Sequence, residues 1–369
     1  MRLTHISARR MLNNMRRALL LLLLALPLAA ELPAGVTRVT LSYPVHMASL
    51  VATPNDELWA ADLMDEGKFA RIALDGTTTT MSMPSNWQTM GATMGPDGAL
   101  WLKGIGWVGR VDLETHAKRQ WAIVTGGLGI LAGPDGNLWF GSAGQRVAVM
   151  RPDGNLLATY PAGGTVTAGV FGPDGALYLL VASNLVRMTV TGETTEFPVV
   201  TSEAGLFAGP TFLWNAGRGY GEPGERAPGA TIHKISLTGE TLAVFTLDME
   251  PQNVDALGNL WLRSTDADGN DIVGQLAPSG VLTRFGPIPA SGSSECHPRF
   301  YGGMTFLSDG RVAMADYYPR FARNLLSPCL RSQRPAGFDN TVTILDPNVA
   351  PILSIDPLTR TQRRRSSRQ

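Results

Sequence analysis

The sequence predicts an all-β fold, a seven-bladed β-propeller built from four-stranded blades, and three observations carry the prediction. First, one turn phrase recurs: GPDGALWL from Gly95 to Leu102, GPDGNLWF from Gly133 to Phe140 and GPDGALYL from Gly172 to Leu179, with weaker copies before Trp59, Trp214, Trp261 and Ala313. Second, the anchors Trp59, Trp101, Trp139, Tyr178, Trp214, Trp261 and Ala313 are separated by 42, 38, 39, 36, 47 and 52 residues, the length of a blade. Third, a hairpin phrase such as ARIALDGT (Ala70–Thr77) or VAVMRPDGNL (Val147–Leu156) follows each anchor, and no helical periodicity interrupts the series.

The chemistry of the phrase explains the hairpin. Proline presets φ, Asp bonds its own backbone, and the closing Gly takes the positive φ that other residues resist. The apolar-aromatic pair that follows places one large side chain on each face of its strand, and a blade is covered on both faces. Asp75-Gly76, Asp153-Gly154 and Thr238-Gly239 mark the outer hairpins.

In chain order, residues 1–30 come first. Arg9, Arg10, Arg16 and Arg17 precede an apolar run from Ala18 to Leu28 and then Ala29-Ala30, the layout of a secretory signal, with an uncleaved anchor as the alternative. The expected location is therefore secreted or periplasmic, with no membrane span once the signal is removed. Val36–Tyr43 alternates like an outer strand and is expected beside the last blade, closing a propeller of residues 34–358. Residues 359–369 read as a disordered basic tail.

Charge excludes one class of partner. Residues 1–30 hold five arginines and no acid, and the tail holds five more. The propeller body therefore carries 21 Lys+Arg against 31 Asp+Glu, near −10, which disfavours nucleic acid. The chain is expected to act as a monomer. Cys296 and Cys329 both fall in loops on one face of the last blade, and an exported chain is expected to join them. Such a bridge would stabilise by roughly 3–4 kcal/mol on the chain-entropy account. Two free thiols are the alternative.

The phrase Gly133–Phe140, followed by the hairpin VMRPDGNL (Val149–Leu156), resembles the virginiamycin B lyase-like (streptogramin lyase) family, whose more distant relatives include NHL-repeat and gluconolactonase-type propellers. The resemblance covers the whole body and is strongest in blades two to four. It implies a seven-bladed propeller and, in the lyases, elimination that opens a streptogramin lactone with a magnesium ion and a histidine base. In that family the phrase continues to an acid at the fourth position counted from the aromatic. Here those positions read Asp62, Gly104, Ser142, Val181, Gly217, Ser264 and Asp316, so only blades one and seven keep an acid. No histidine stands at the family's distance ahead of either, and the lyases' catalytic set does not transfer.

Candidate residues gather on the face opposite the Gly-Pro-Asp-Gly turns, here called the top. Asp62, Asp316 and Glu295 could hold a divalent cation, Mg or Ca, with His297 and His46 as acid/base candidates. The alternative is that the two Asp cap loop backbone and the histidines are surface residues. The run Asp266–Asp271 offers four oxygen side chains, although its Gly269 stands at the fourth place and not the sixth of an EF-hand loop. The long loops Asn215–Thr231 and Asp316–Asn340 bring Tyr220, Tyr317 and Arg320 to the same face. Tyr220, Asp266, Asp271, Tyr317 and Arg320 are the ligand-binding candidates. The expected function is an exported propeller that binds a small molecule, glycan or protein on its top face. The alternative is a Mg-dependent lyase or lactone-acting enzyme.

Overall fold

A computed structural model describes residues 31–41, 47–62, 68–83, 89–182, 184–198, 205–216, 230–289, 300–317 and 341–358. Those from Pro33 onward belong to one compact unit. It is all β, with seven antiparallel sheets and no helix among the described residues.

Each anchor lies in the second strand of its sheet: Leu58–Asp62, Leu100–Gly104, Leu138–Ser142, Leu177–Val181, Leu213–Ala216, Leu260–Thr265 and Val312–Tyr317. The six aromatic anchors are buried, because residues on both faces of this strand meet a neighbouring blade. Between blades two and three, for example, Trp101, Val108, Ile130, Phe140 and Ala148 share one apolar cluster. Inner strands pack successively around the ring, and that of blade seven (Phe300–Phe306) meets that of blade one (Met47–Ala52).

The N-terminal strand Val36–Thr40 pairs antiparallel with Thr341–Leu345 and completes blade seven as its outer strand. This settles the place of the closing strand. One blade departs from the expected four strands. Ile352–Pro357 adds a fifth, outermost strand to blade six by pairing with Val281–Ile288. After blade seven is filled by the N-terminal strand, the returning chain finds its free backbone partner on the neighbouring sheet edge.

The turn phrase folds as its chemistry requires. Gly98, Gly136, Gly175, Gly258 and Gly310 all take positive φ. The Asp of the phrase also bonds the anchor. Trp101 Nε1 donates to Asp97 at 2.9 Å, Trp139 to Asp135 at 3.0 Å, and the Tyr178 hydroxyl lies 3.2 Å from Asp174. Blade six shifts the acid to the first position of the phrase, and Asp255 still reaches Trp261 Nε1 at 2.9 Å. Blade five lacks the acid, and Trp214 donates instead to the Gly258 carbonyl of the next blade at 3.0 Å.

Candidate functional site

The top face begins where the second strands end and the inner strands start. In blades one, two, three, four, six and seven the inner strand shifts register: Met47/Ser49, Thr89/Gly91, Thr125/Ile130, Val166/Ala168, Pro251/Asn253 and Tyr301/Met304. The extra residues there, three in blade three and one in each of the other five, bend the strand and re-aim side chains, as bulges beside binding sites commonly do. In blade five Gly205–Ala208 pairs without a shift.

Two cations lie buried just beneath this face, each two residues after its anchor aromatic. Lys103 in blade two is 1% exposed and its Nζ donates to the Gly126 carbonyl of blade three at 2.5 Å. Burial pushes its pKa down to about 8. Arg263 in blade six is fully buried. Its Nη1 donates to the Ala315 carbonyl of blade seven at 3.0 Å, and its Nη2 lies 3.2 Å from Asp271 Oδ2. Other blades hold Ala61, Gly141, Leu180, Ala216 and Ala315 at this place. Sequence reasoning passed over both cations. Their signal was a basic residue inside the apolar runs LWLKG and LWLRS.

The acidic loop of blade six divides into two roles. Asp266 holds its own turn, accepting from the Asp268 and Asn270 amides at 2.9 and 2.8 Å and from the Asn270 side chain at 3.0 Å. Burial opposes ionisation of this carboxyl, but the Asn270 side chain and the backbone donors outweigh it and hold its pKa below the usual carboxylate range. Asp271 is only 2% exposed and pairs with Arg263, so it belongs to the blade interface and not to an open ligand surface. A carboxylate buried beside a guanidinium is held in that pair. Both acids are used by the scaffold, and among the described residues no three His, Cys, Asp or Glu cluster as a metal site would require.

The backbones of Asp62, Asp316 and Tyr317 stand at the top ends of the second strands of blades one and seven, which are neighbours across the ring closure. His46, Tyr220, Glu295, Cys296, His297, Arg320 and Cys329 lie outside the described residues. Of the other histidines, His116 sits in the outer turn of blade two against the edge of Trp59, and His233 lies on the third strand of blade five.

Residues 36–323 match the virginiamycin B lyase family. Among solved structures, a streptogramin B lyase is 17% identical, with a TM-score of 0.62 over 85% of this chain and 98% of that one. A catalytically inactive virginiamycin B lyase from Staphylococcus aureus with quinupristin is 18% identical, with a TM-score of 0.60 over 85% and 99%. The WD40 propeller domain of Doa1 shares 12% identity, with a TM-score of 0.58 over 86% and 97%. These likenesses speak to the fold. No curated protein sequence matches the chain.

Proposed function

The chain belongs to the virginiamycin B lyase family, and on that footing we propose that it is an exported propeller that binds a small molecule at the top of its central channel. One observation carries this reading: the two ends of the ring are built differently. At the bottom, the phrase acids Asp97, Asp135, Asp174 and Asp255 are bonded to their own anchor aromatics, so scaffold chemistry accounts for them. At the top, the repeat breaks down into unlike residues and bulged strands, as a rigid scaffold carrying a binding surface does.

Binding is favoured over elimination because the residues present do not reproduce a lyase's set. Acids occupy the fourth position in two blades only, and the histidines among the described residues, His116 and His233, stand in a bottom turn and a third strand. A second reading, a Mg-dependent lyase or lactone-acting enzyme, rests on family membership and on Asp62 and Asp316 standing in adjacent blades. Incubation of the purified protein with quinupristin, with and without Mg²⁺, separates the two. Calorimetric titration should show saturable binding, while chromatography shows the ring intact. A linearised product would establish the lyase, and absence of binding would remove the small-molecule reading for this chemical class.

A further inference from the structure

The seam between blades six and seven is tied by side chains that reach across it to backbone carbonyls. Asn253, on the inner strand Glu250–Val254, donates to the Met304 carbonyl at 2.8 Å. Arg263, on the second strand, donates to Ala315 at 3.0 Å. Arg38, on the closing outer strand, donates back to the Pro289 carbonyl. The middle tie differs from the others in what it holds. Ala315 is the last residue before Asp316, so its carbonyl and the Asp316 amide share one peptide plane, and Tyr317 follows directly.

We propose that Arg263 is a positioning residue for the blade-seven end of the binding face, with Asp271 orienting its guanidinium. The inference rests on the top face being the binding face. A charged, buried donor is strong and directional, and water cannot replace it there. The planar fork serves both partners at once, one nitrogen on Asp271 and the other on Ala315. The peptide that launches Asp316 and Tyr317 is therefore fixed from the neighbouring blade as well as by its own sheet pairing of Ala315 with Val342. Lys103 occupies the same repeat position and also reaches a next-blade carbonyl, there Gly126 on the inner strand, so a lysine at this position can donate across a blade boundary.

The test uses the full propeller. Removing one partner alone would strand a buried charge, so the principal variant replaces both, Arg263→Met with Asp271→Leu, and keeps an apolar seam. Its thermal midpoint should stay near that of the parent. Hydrogen exchange at the Asp316 and Tyr317 amides should rise by about tenfold or more, with blades two to four unchanged. Quinupristin affinity should fall by roughly tenfold, short of the ~100-fold that a 1 Å misplacement can cost in a reacting geometry. Arg263→Lys should restore much of both, since it keeps a donor within reach of Ala315. If the folded double variant exchanges and binds like the parent, the positioning role is wrong. If that double variant does not fold, Arg263→Met with Asp271→Asn, which also leaves no buried charge and removes the bond to Ala315, carries the same exchange measurement, and parent-like protection there overturns the proposal equally. Should the parent itself fail to bind quinupristin, the binding reading falls, while the exchange measurement still decides whether Arg263 fixes this peptide.

Discussion

Lys103 and Arg263 show how one repeat position can bury a cation in two ways. Arg263 cannot shed its proton, and it takes a carboxylate partner, Asp271. Lys103 has a backbone carbonyl, and its pKa falls to about 8 because burial penalises the charged form. The consequence for stability has a definite sign. Between pH 8 and the unfolded value of about 10.4, the unfolded chain binds this proton and the folded chain has largely released it. Stability should therefore rise with pH through that window. Lys103→Met should abolish the rise. It should also raise stability at pH 7 by about 1–2 kcal/mol, the desolvation cost relieved less the bond lost at Gly126. Urea midpoints at pH 7 and pH 9.5 check both statements, and an unchanged pH slope in the variant would refute the assignment. Both cations were legible in principle, since a basic residue within LWLKG or LWLRS breaks a run that is otherwise apolar. What the sequence did not display is their shared target, because a next-blade carbonyl leaves no mark in the side-chain pattern.

The blade itself is held by a device that spans two sheets. Trp121 on the outer strand of blade two stacks on the anchor Trp101 at 5.4 Å between centroids, and Tyr160 does the same for Trp139 at 5.9 Å. Each of these outer rings also covers an outer-turn glycine of the following blade. A Cβ on Gly154 would lie 2.1 Å from Trp121, and one on Gly192 would lie 2.1 Å from Tyr160. Those glycines also take positive φ, 96° and 89°. Gly154→Ala should thus cost about 2–4 kcal/mol, adding left-handed strain to overpacking, and a denaturation midpoint measures it directly. A loss of only a few tenths would mean that the ring moves aside freely. The sequence reading identified Gly154 from turn geometry alone and found half of its role. The local phrase specified the hairpin, whereas the contact with Trp121 lies across a blade boundary. For the same reason the fifth strand of blade six was missed. Ile352–Pro357 carries no repeat signal, and its pairing depends on which sheet edge remains open. The top-face candidates were legible only as departures from the repeat, and the departure at Asp271 is taken up by its pair with Arg263 at the seam.

Across the whole molecule, what distinguishes a propeller from a stack of sheets is the joint between its last and first blades. Here that joint is sealed at several levels by residues about 250 to 310 positions apart. Asp56 stands where other blades use glycine and takes φ 62°, and its carboxylate accepts from the Ser308 amide and hydroxyl at 2.6 and 2.8 Å. Its departure from the repeat is thus explained by ring closure. Gly303 lies so close to Leu50 that a Cβ would sit 2.4 Å from the Leu50 amide nitrogen, and the Ala52 amide donates to Thr305 at 3.3 Å. The outer strand Val36–Thr40 then buries Val36 and Val39 while pairing along its full length with Thr341–Leu345, and Leu41 is buried just beyond it. The fifth strand of blade six is a weaker attachment. Ile352, Leu353 and Ile355 each remain more than half exposed, and Arg284, which meets Asp356, also has Asp248 at 3.6 Å. The two terminal strands should therefore differ sharply on removal. Deleting residues 33–41 should cost at least about 5 kcal/mol from the lost burial of three large side chains, and should broaden or split the unfolding transition as blade seven loses its outer strand. Deleting residues 352–369 should cost only about 1–3 kcal/mol and leave one cooperative transition, since Leu358 packs on the core while Ile352, Leu353 and Ile355 stay exposed. Calorimetry on both truncations tests this, and equal losses would show that closure does not depend on the N-terminal strand.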